Sequence, residues 1–146
     1  MIVFEVNQKI GKTIPPAFWQ KVFRKASKVL KIRKPVRVSL ALVGKEEIRH
    51  LNKIYRGRNS VTDVLSFGET NDVFESILPP TKKYLGEIVI CFPQALAQAK
   101  KNKQPLNQEL SLLLIHGLLH LLGYDHRTKK ERAAMQLIGD KIILSR

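Results

Sequence analysis

Residues 107–126 read NQELSLLLIHGLLHLLGYDH, and the part of this stretch before Gly123 is apolar on nearly every side. A helix that is apolar all round is typical of a fold's interior, so the sequence predicts a buried central helix over 107–122. We expect Asn107 to cap its N-terminus. We expect Gly123 to end the helix in a left-handed conformation, so that the chain can turn back towards it.

Three of the four histidines in the chain lie in this stretch, at His116, His120 and His126. His116 and His120 are four residues apart, so they share a helix face and can both reach one ion at roughly 2.0–2.1 Å. The break at Gly123 allows His126 to return to the same ion. Three neutral nitrogen ligands plus one water are typical of a catalytic zinc site. A single such histidine would more simply be a hydrogen-bonded core residue, but three within eleven residues favour a metal site.

The identity of the metal and the reaction both have alternatives. Nitrogen ligands also suit nickel, copper and iron, so zinc is the best prediction and another divalent transition metal remains possible. The histidine spacing is similar to that of H-E-x-x-H zinc peptidases, in which the residue after the first histidine is the general base. Gly117 occupies that position here and cannot accept a proton. A peptidase or amidase of another mechanism, or a non-catalytic factor with a structural metal, therefore remains as an alternative.

The charge of the chain is strongly positive and unevenly distributed. With 26 Lys+Arg and 12 Asp+Glu, the 146 residues carry a formal net charge of +14. Residues 1–60 contain 15 of the basic residues and 3 of the acidic ones. Such a surface favours a polyanion as partner, through phosphate contacts. A merely solvated basic surface is the alternative.

Pro15 and Pro16 predict the start of an amphipathic helix over about 16–33. Its apolar residues fall within one arc at 100° per residue, and its basic residues lie opposite. Binding to an anionic membrane surface is less favoured, because the aromatic residues of the helix are better explained as core. We expect a polyanionic substrate to contact a basic stripe made of Lys21, Arg24, Lys25, Lys28 and Lys31.

The remaining periodicities complete the predicted fold. Strands are predicted at 2–6, 36–43, 61–67 and 85–91, helices at 45–55, 93–101 and 129–144, and a long connection at 68–84. This order predicts a single α+β layered domain over 1–146, with a small mixed sheet of about four strands and a buried central metal-binding helix.

The sequence also favours a cytoplasmic protein without a membrane partner. Cys91 is the single cysteine, which excludes an internal disulfide, predicts no disulfide-linked partner and fits a reducing compartment. No apolar run approaches the roughly 18 residues that a membrane span requires. The first residues lack the pattern of a signal peptide.

The histidine motif and two upstream segments resemble the YbeY family of bacterial metal-dependent endoribonucleases. The upstream segments are Leu51–Arg58, LNKIYRGR, and Thr62–Phe67, TDVLSF. Leu85–Ile90, LGEIVI, also matches. The resemblance implies a single-strand-specific endoribonuclease that matures ribosomal RNA, notably the 3′ end of 16S rRNA, and serves ribosome quality control. Its implied partners are single-stranded or ribosomal RNA and the ribosome or ribosomal proteins.

The resemblance further implies zinc on the three histidines, with His116 and Arg56 as catalytic residues. A divalent metal would polarise a phosphoryl oxygen and lower the pKa of its bound water towards 7. Arg56 would hold the scissile phosphate, because a guanidinium can bridge two of its oxygens. A surface salt bridge is the alternative role for Arg56. Weaker candidates are Arg58 for substrate binding, and Asp63 and Asp125 as acceptors that orient a metal-bound histidine; a turn role is equally compatible with Asp63.

Overall fold

Four strands form one mixed sheet in the part of the chain that the computed structural model describes, residues 1–68 and 83–145. The strands are β1 (Ile2–Gln8), β2 (Val36–Val43), β3 (Val64–Gly68) and β4 (Lys83–Cys91). Their order across the sheet is β1-β2-β4-β3. The first three in that order run parallel, whereas β3 is antiparallel to β4. Among these strands β1 and β3 therefore form the two opposite edges.

Five helices cover the two faces of this sheet within the described residues. They are α1 (Pro16–Val29), α2 (Lys45–Arg56), α3 (Phe92–Lys101), α4 (Leu106–Leu121) and α5 (Lys129–Leu144). The larger core cluster joins α1, α4 and α5 to one face, and a smaller cluster places α2 on the other. The predicted α+β architecture, with its mixed sheet and buried histidine-bearing helix, is confirmed.

The apolar run in β2 follows from burial on both faces. Val38, Leu40 and Leu42 pack in the larger cluster. Ala41 and Val43 alternate with them and pack in the smaller cluster on the α2 side. A strand covered on both faces has no solvent-facing position, so its sequence loses the polar alternation of a half-exposed strand.

Helix α4 runs through the larger cluster as predicted. Leu110, Leu114 and Leu118 are each exposed by 1% or less. The helix begins one residue earlier than expected, because Pro105 occupies the N-cap position with an extended backbone and Asn107 lies inside the first turn. The backbone carbonyl of Pro105 accepts the amide of Gln108 at 3.1 Å, so the predicted side-chain cap by Asn107 is wrong.

The end of α4 is a double hydrogen-bonded turn around Gly123, as its sequence predicted. Gly123 has φ +98°, a left-handed value that glycine adopts without a Cβ penalty. The amide of Gly123 donates to the carbonyl of His120 at 3.0 Å. The amide of Tyr124 donates to the carbonyl of Leu119, also at 3.0 Å. This pattern is a Schellman motif. It reverses the chain directly after the second histidine.

Several other predicted boundaries shift in the structure. Helix α1 ends at Val29 rather than near residue 33, and Lys31 follows it with φ 55°. This turn lets the amide of Ile32 donate to the carbonyl of Ser27, and the Ile32 side chain packs against the core. Strand β3 begins at Val64, after the Asp63 turn. Most of the predicted connection at 68–84 lies outside the described residues.

Candidate metal centre

The side chains of His116, His120 and His126 converge at the C-terminal end of α4. The Nε2 atom of His120 lies 3.1 Å from Nε2 of His116 and 2.9 Å from Nδ1 of His126. Tetrahedral ligands about 2.0–2.1 Å from zinc are separated by roughly 3.3–3.4 Å. The spacing of the three nitrogens therefore fits one transition-metal ion, as the sequence predicted.

The loop after α4 is fixed by the side chain of Asp125. Its Oδ1 accepts the backbone amide of His126 at 2.7 Å, and its Oδ2 forms an ion pair with Arg127 Nε at 2.9 Å. Such a local side-chain-to-backbone bond stabilises a turn. Asp125 therefore positions the third histidine through the backbone, which differs from the predicted contact with an imidazole.

Both helical histidines favour the neutral, metal-binding form. Burial and the neighbouring imidazoles of His120 and His126 lower the pKa of His116. Burial also lowers the pKa of His120, with a further contribution from His126. An imidazole must be neutral to donate its lone pair to a metal. The lowered pKa values therefore favour cation binding by these two helical histidines.

Gly117 lies between the two helical histidines because α4 approaches β4 closely there. A Cβ added to Gly117 would lie 2.8 Å from Cγ2 of Ile88, a distance that real Cβ atoms essentially never show. A side chain at the position that carries the glutamate base in H-E-x-x-H peptidases would therefore require Ile88 to shift. The absence of a base at Gly117 is built into the packing of the fold.

Arg56 reaches the histidines from the opposite face of the sheet. It is the last residue of α2, and its guanidinium extends to the edge of β3, where Nη2 donates to the carbonyl of Ser66 at 2.6 Å. Its Cζ lies 5.3 Å from the centre of the Phe67 ring. Arg56 and the three histidines line one pocket of about 400 Å³. Within residues 1–68 and 83–145, Arg56 makes no ion pair with a carboxylate, so the salt-bridge alternative finds no support.

Asp63 lies in the wall of the same pocket but forms its hydrogen bonds elsewhere. Its Oδ1 accepts the amide of Val64 at 2.8 Å, and its Oδ2 accepts from Gln98 Nε2 at 3.4 Å. No hydrogen bond joins it to a histidine among the described residues. The structure therefore favours the turn role for Asp63. Its negative charge nevertheless acts on His116, where it partly offsets the lowering of the imidazole pKa.

Comparison with known proteins identifies the family. Residues 4–145 match the family described as Endoribonuclease YbeY. The chain belongs to the YbeY family. Similar relatives named Endoribonuclease YbeY come from Geobacillus thermodenitrificans, at 39% identity over 85% of this chain and 81% of the relative, and from Sulfurihydrogenibium sp., at 36% over 94% and 88%. The solution structure of TM1509 from Thermotoga maritima has a TM-score of 0.61 and 26% identity, and covers 97% of this chain and 89% of that one.

The segments that carry the resemblance to the YbeY family meet at this pocket. The segment Leu51–Arg58 supplies Arg56, and Thr62–Phe67 supplies the turn and most of β3. Ile88, from the third matching segment, packs beneath Gly117. Segments that are distant in sequence are thus collected around the histidines.

The basic stripe of α1 lies at the other edge of the sheet. Helix α1 packs on β1, whereas the histidines lie beside β3, and roughly 14 Å separates two strands that are three places apart. Lys25 of this stripe already makes a hydrogen bond within the fold, since its Nζ donates to the carbonyl of Ile143 at 3.3 Å. Arg58 is exposed after α2 and is absent from the pocket lining. The structure therefore brings Arg56, but neither the stripe nor Arg58, to the histidines.

Sequence reasoning missed two aromatic residues beside Arg56. The ring of Tyr55 lies 5.2 Å from that of Phe67 in an edge-to-face arrangement. Tyr55 is 60% exposed, so much of this residue is accessible to a ligand. An exposed aromatic residue directly before a candidate phosphate-binding arginine was the signal that could have revealed it.

Proposed function

We propose that this member of the YbeY family is a zinc-dependent endoribonuclease that cleaves single-stranded RNA. One observation carries the proposal: three metal-competent imidazoles and the guanidinium of Arg56 line the same open pocket. The relatives named as endoribonucleases support RNA as the polymer. We further propose ribosomal RNA precursors as the substrate, including the 3′ end of 16S rRNA.

The metal would be held by the three histidines alone among the described residues. A bound zinc ion would supply Lewis-acid polarisation of a phosphoryl oxygen and a water molecule acidic enough to act as a nucleophile near neutral pH. His116 and His120 hold their ring nitrogens in place because both are fixed on the rigid last turns of α4. Zinc is favoured over harder cations by an all-nitrogen donor set.

Arg56 would hold the scissile phosphate and stabilise the charge that develops on it. One of its N–H groups is used by the Ser66 carbonyl, and a guanidinium has five. The remaining donors can bind two phosphate oxygens at once. The Ser66 carbonyl and the Phe67 ring fix the orientation of the guanidinium, so little freedom is lost when phosphate binds.

The surroundings of Arg56 favour a single strand over a duplex. The exposed ring of Tyr55 can accept an unstacked base, and bases in a duplex are not available for such stacking. The ribosome or ribosomal proteins are proposed partners because they present the substrate. The proposed compartment is the cytoplasm, where ribosomal RNA matures; among the described residues, no helix is long and apolar enough to cross a membrane.

Cleavage assays with zinc-loaded protein test this proposal. Labelled single-stranded RNA, the matching duplex and casein serve as substrates, with His50→Ala as the matched control for His116→Ala. We expect the single strand to be cut by wild type and His50→Ala, and not by His116→Ala. Cleavage of casein without RNA would instead support a peptidase. Full RNA turnover by a folded His116→Ala variant would contradict the assigned site.

A further inference from the structure

A long groove lies between β1 and α1, at the edge of the sheet remote from the histidines. Its volume is about 1180 Å³, against about 400 Å³ for the metal pocket. The accessible part of its apolar lining includes four half-buried residues, Phe4, Val6, Ile14 and Ile32, while Trp19 and Phe23 lie buried beneath them. The groove follows the whole seven-residue length of β1, which corresponds to roughly 23 Å of extended chain.

Among the described residues, the backbone groups on the outer edge of β1 have no hydrogen-bond partner. The carbonyl of Met1 accepts from Val36 and the amide of Lys9 donates to Leu42, so the odd-numbered residues of this strand direct their backbone groups towards β2. Successive residues alternate in direction, so the even-numbered ones direct theirs to the open edge. An edge strand of this kind is a template for one more strand.

The charge around the groove selects an acidic ligand. Four basic residues belong to the lining, namely Arg24, Lys28, Lys31 and Arg33. No acidic residue belongs to it among the residues that the structure describes. Three of these four come from the basic stripe, for which the sequence predicted contacts with a polyanionic substrate.

An extended peptide fits these features better than RNA does. Sequence-independent RNA binding uses exposed aromatic faces on which bases stack, whereas Trp19 and Phe23 are exposed by only 1% and 2%. A free strand edge beside an apolar channel is the arrangement used for peptides that bind by strand addition. We propose that this groove binds an extended segment of a partner protein, acidic with interspersed apolar residues, as an added strand on β1.

Peptide selection on the full-length protein provides the test. A displayed library of random peptides about twelve residues long is selected on the immobilised chain, and an enriched peptide is labelled for fluorescence polarisation. We expect enriched peptides to alternate acidic and apolar residues. Enrichment of basic sequences, or no enrichment, would overturn the proposal.

Two modifications then separate strand addition from simple charge attraction. The double variant Arg24→Glu/Lys28→Glu should weaken peptide binding at least about tenfold, whereas Lys129→Glu/Lys130→Glu, which reverses two exposed charges outside the groove, should not. Methylating one backbone amide of the peptide at a time should abolish binding only when the methylated residue is one of every second position, because alternate amides face β1. Equal effects at all positions would contradict strand addition.

Two other occupants are outcomes of the same experiments. If the groove variant loses affinity for a single-stranded RNA oligonucleotide but retains the peptide, the groove is an RNA surface and the proposal is wrong. If the chain forms a dimer by light scattering and peptide binding does not dissociate it, a second copy occupies β1 and the proposal is also wrong.

Discussion

The two edges of the sheet carry different kinds of surface. At the β3 edge, polar side chains surround a pocket of about 400 Å³ that contains the histidines and Arg56. At the β1 edge, an apolar groove of about 1180 Å³ has basic residues in its lining. Basic residues from residues 1–60 therefore lie at two separate places, with Arg56 at the β3 edge and Arg24, Lys28, Lys31 and Arg33 at the β1 edge. Net charge predicts an anionic partner, but the neighbouring atoms determine whether a basic residue faces a reacting phosphate or an acidic chain.

The largest effect is expected at the β3 edge, from His120→Ala. Its Nε2 lies within 3.1 Å of a ring nitrogen on each of the other two histidines, so the variant loses the central ligand. We expect metal content to fall to background and RNA cleavage to fall by at least about 10³-fold. Metal analysis and cleavage rates are measured on one sample, with His50→Ala as the control. Undiminished cleavage would remove the histidine cluster from the mechanism.

Arg56→Lys should have the next largest effect, and it tests whether geometry or charge matters at this edge. Lysine keeps the charge but cannot contact two phosphate oxygens in a fixed plane. We expect kcat/KM to fall by about 10–10²-fold, with metal content unchanged. The matched variant is Arg58→Lys, since Arg58 lies outside the pocket. Equal losses in both variants would contradict the assignment of the phosphate to Arg56.

Gly117→Ala tests the close packing that supports the metal pocket. The added methyl group would lie 2.8 Å from an Ile88 carbon, so we expect a loss of about 1–3 kcal/mol in the free energy of unfolding. Gly139→Ala is the control, because its methyl would lie 3.9 Å from Ile115 in ordinary contact. That variant should be neutral or gain up to about 1 kcal/mol from helix propensity. Urea unfolding measures both, and equal stabilities would show that α4 and β4 are not packed as described.

The smallest effect is expected from Glu87→Gln on β4, between the two edges. Burial raises the pKa of Glu87, and the negative charges of Glu47 and Glu5 raise it further. The positive charge of Lys9 partly offsets this rise. When the pKa of a carboxyl group is higher in the folded than in the unfolded state, folding favours the protonated form. The contribution of the group to stability is therefore fully present below its unfolded pKa and is lost as pH rises through its folded pKa. The difference in the free energy of unfolding between Glu87→Gln and wild type should therefore favour the variant more at pH 7 than at pH 4. The change in this difference should be less than about 1 kcal/mol, because the side chain is partly hydrated.

Unfolding curves at the two pH values decide this point, and metal content and RNA cleavage should be unchanged. A larger gain at pH 4 than at pH 7 would contradict the direction of the shift. The side chain shares its face with Lys9 and Glu47 on the α2 side of the sheet, away from both the histidines and the groove.

The sequence was sufficient for the local features of the metal centre. A helix that is apolar all round must be buried, and a four-residue spacing must place His116 and His120 on one face. Gly123 likewise predicted the reversal that returns His126. These inferences succeed because each depends on neighbours within about two helical turns.

Features that depend on packing between distant elements were not predictable in the same way. Periodicity placed basic residues on one face of α1 but could not show that α1 packs beside β1, at the edge remote from the histidines. It also could not reveal that Gly117 lies against Ile88, or that Arg56 crosses from the other face of the sheet. These facts depend on strand order, which is determined by the whole chain.

Zinc titration of the metal-free chain, followed by the rate of cleavage of a labelled single-stranded RNA, tests the assigned active site most directly. Three histidines around one ion predict no cleavage without metal and a rate that rises to a plateau at one zinc per chain. Cleavage that is independent of zinc, or the same titration curve from His120→Ala, would contradict a metal-dependent nuclease site at the β3 edge.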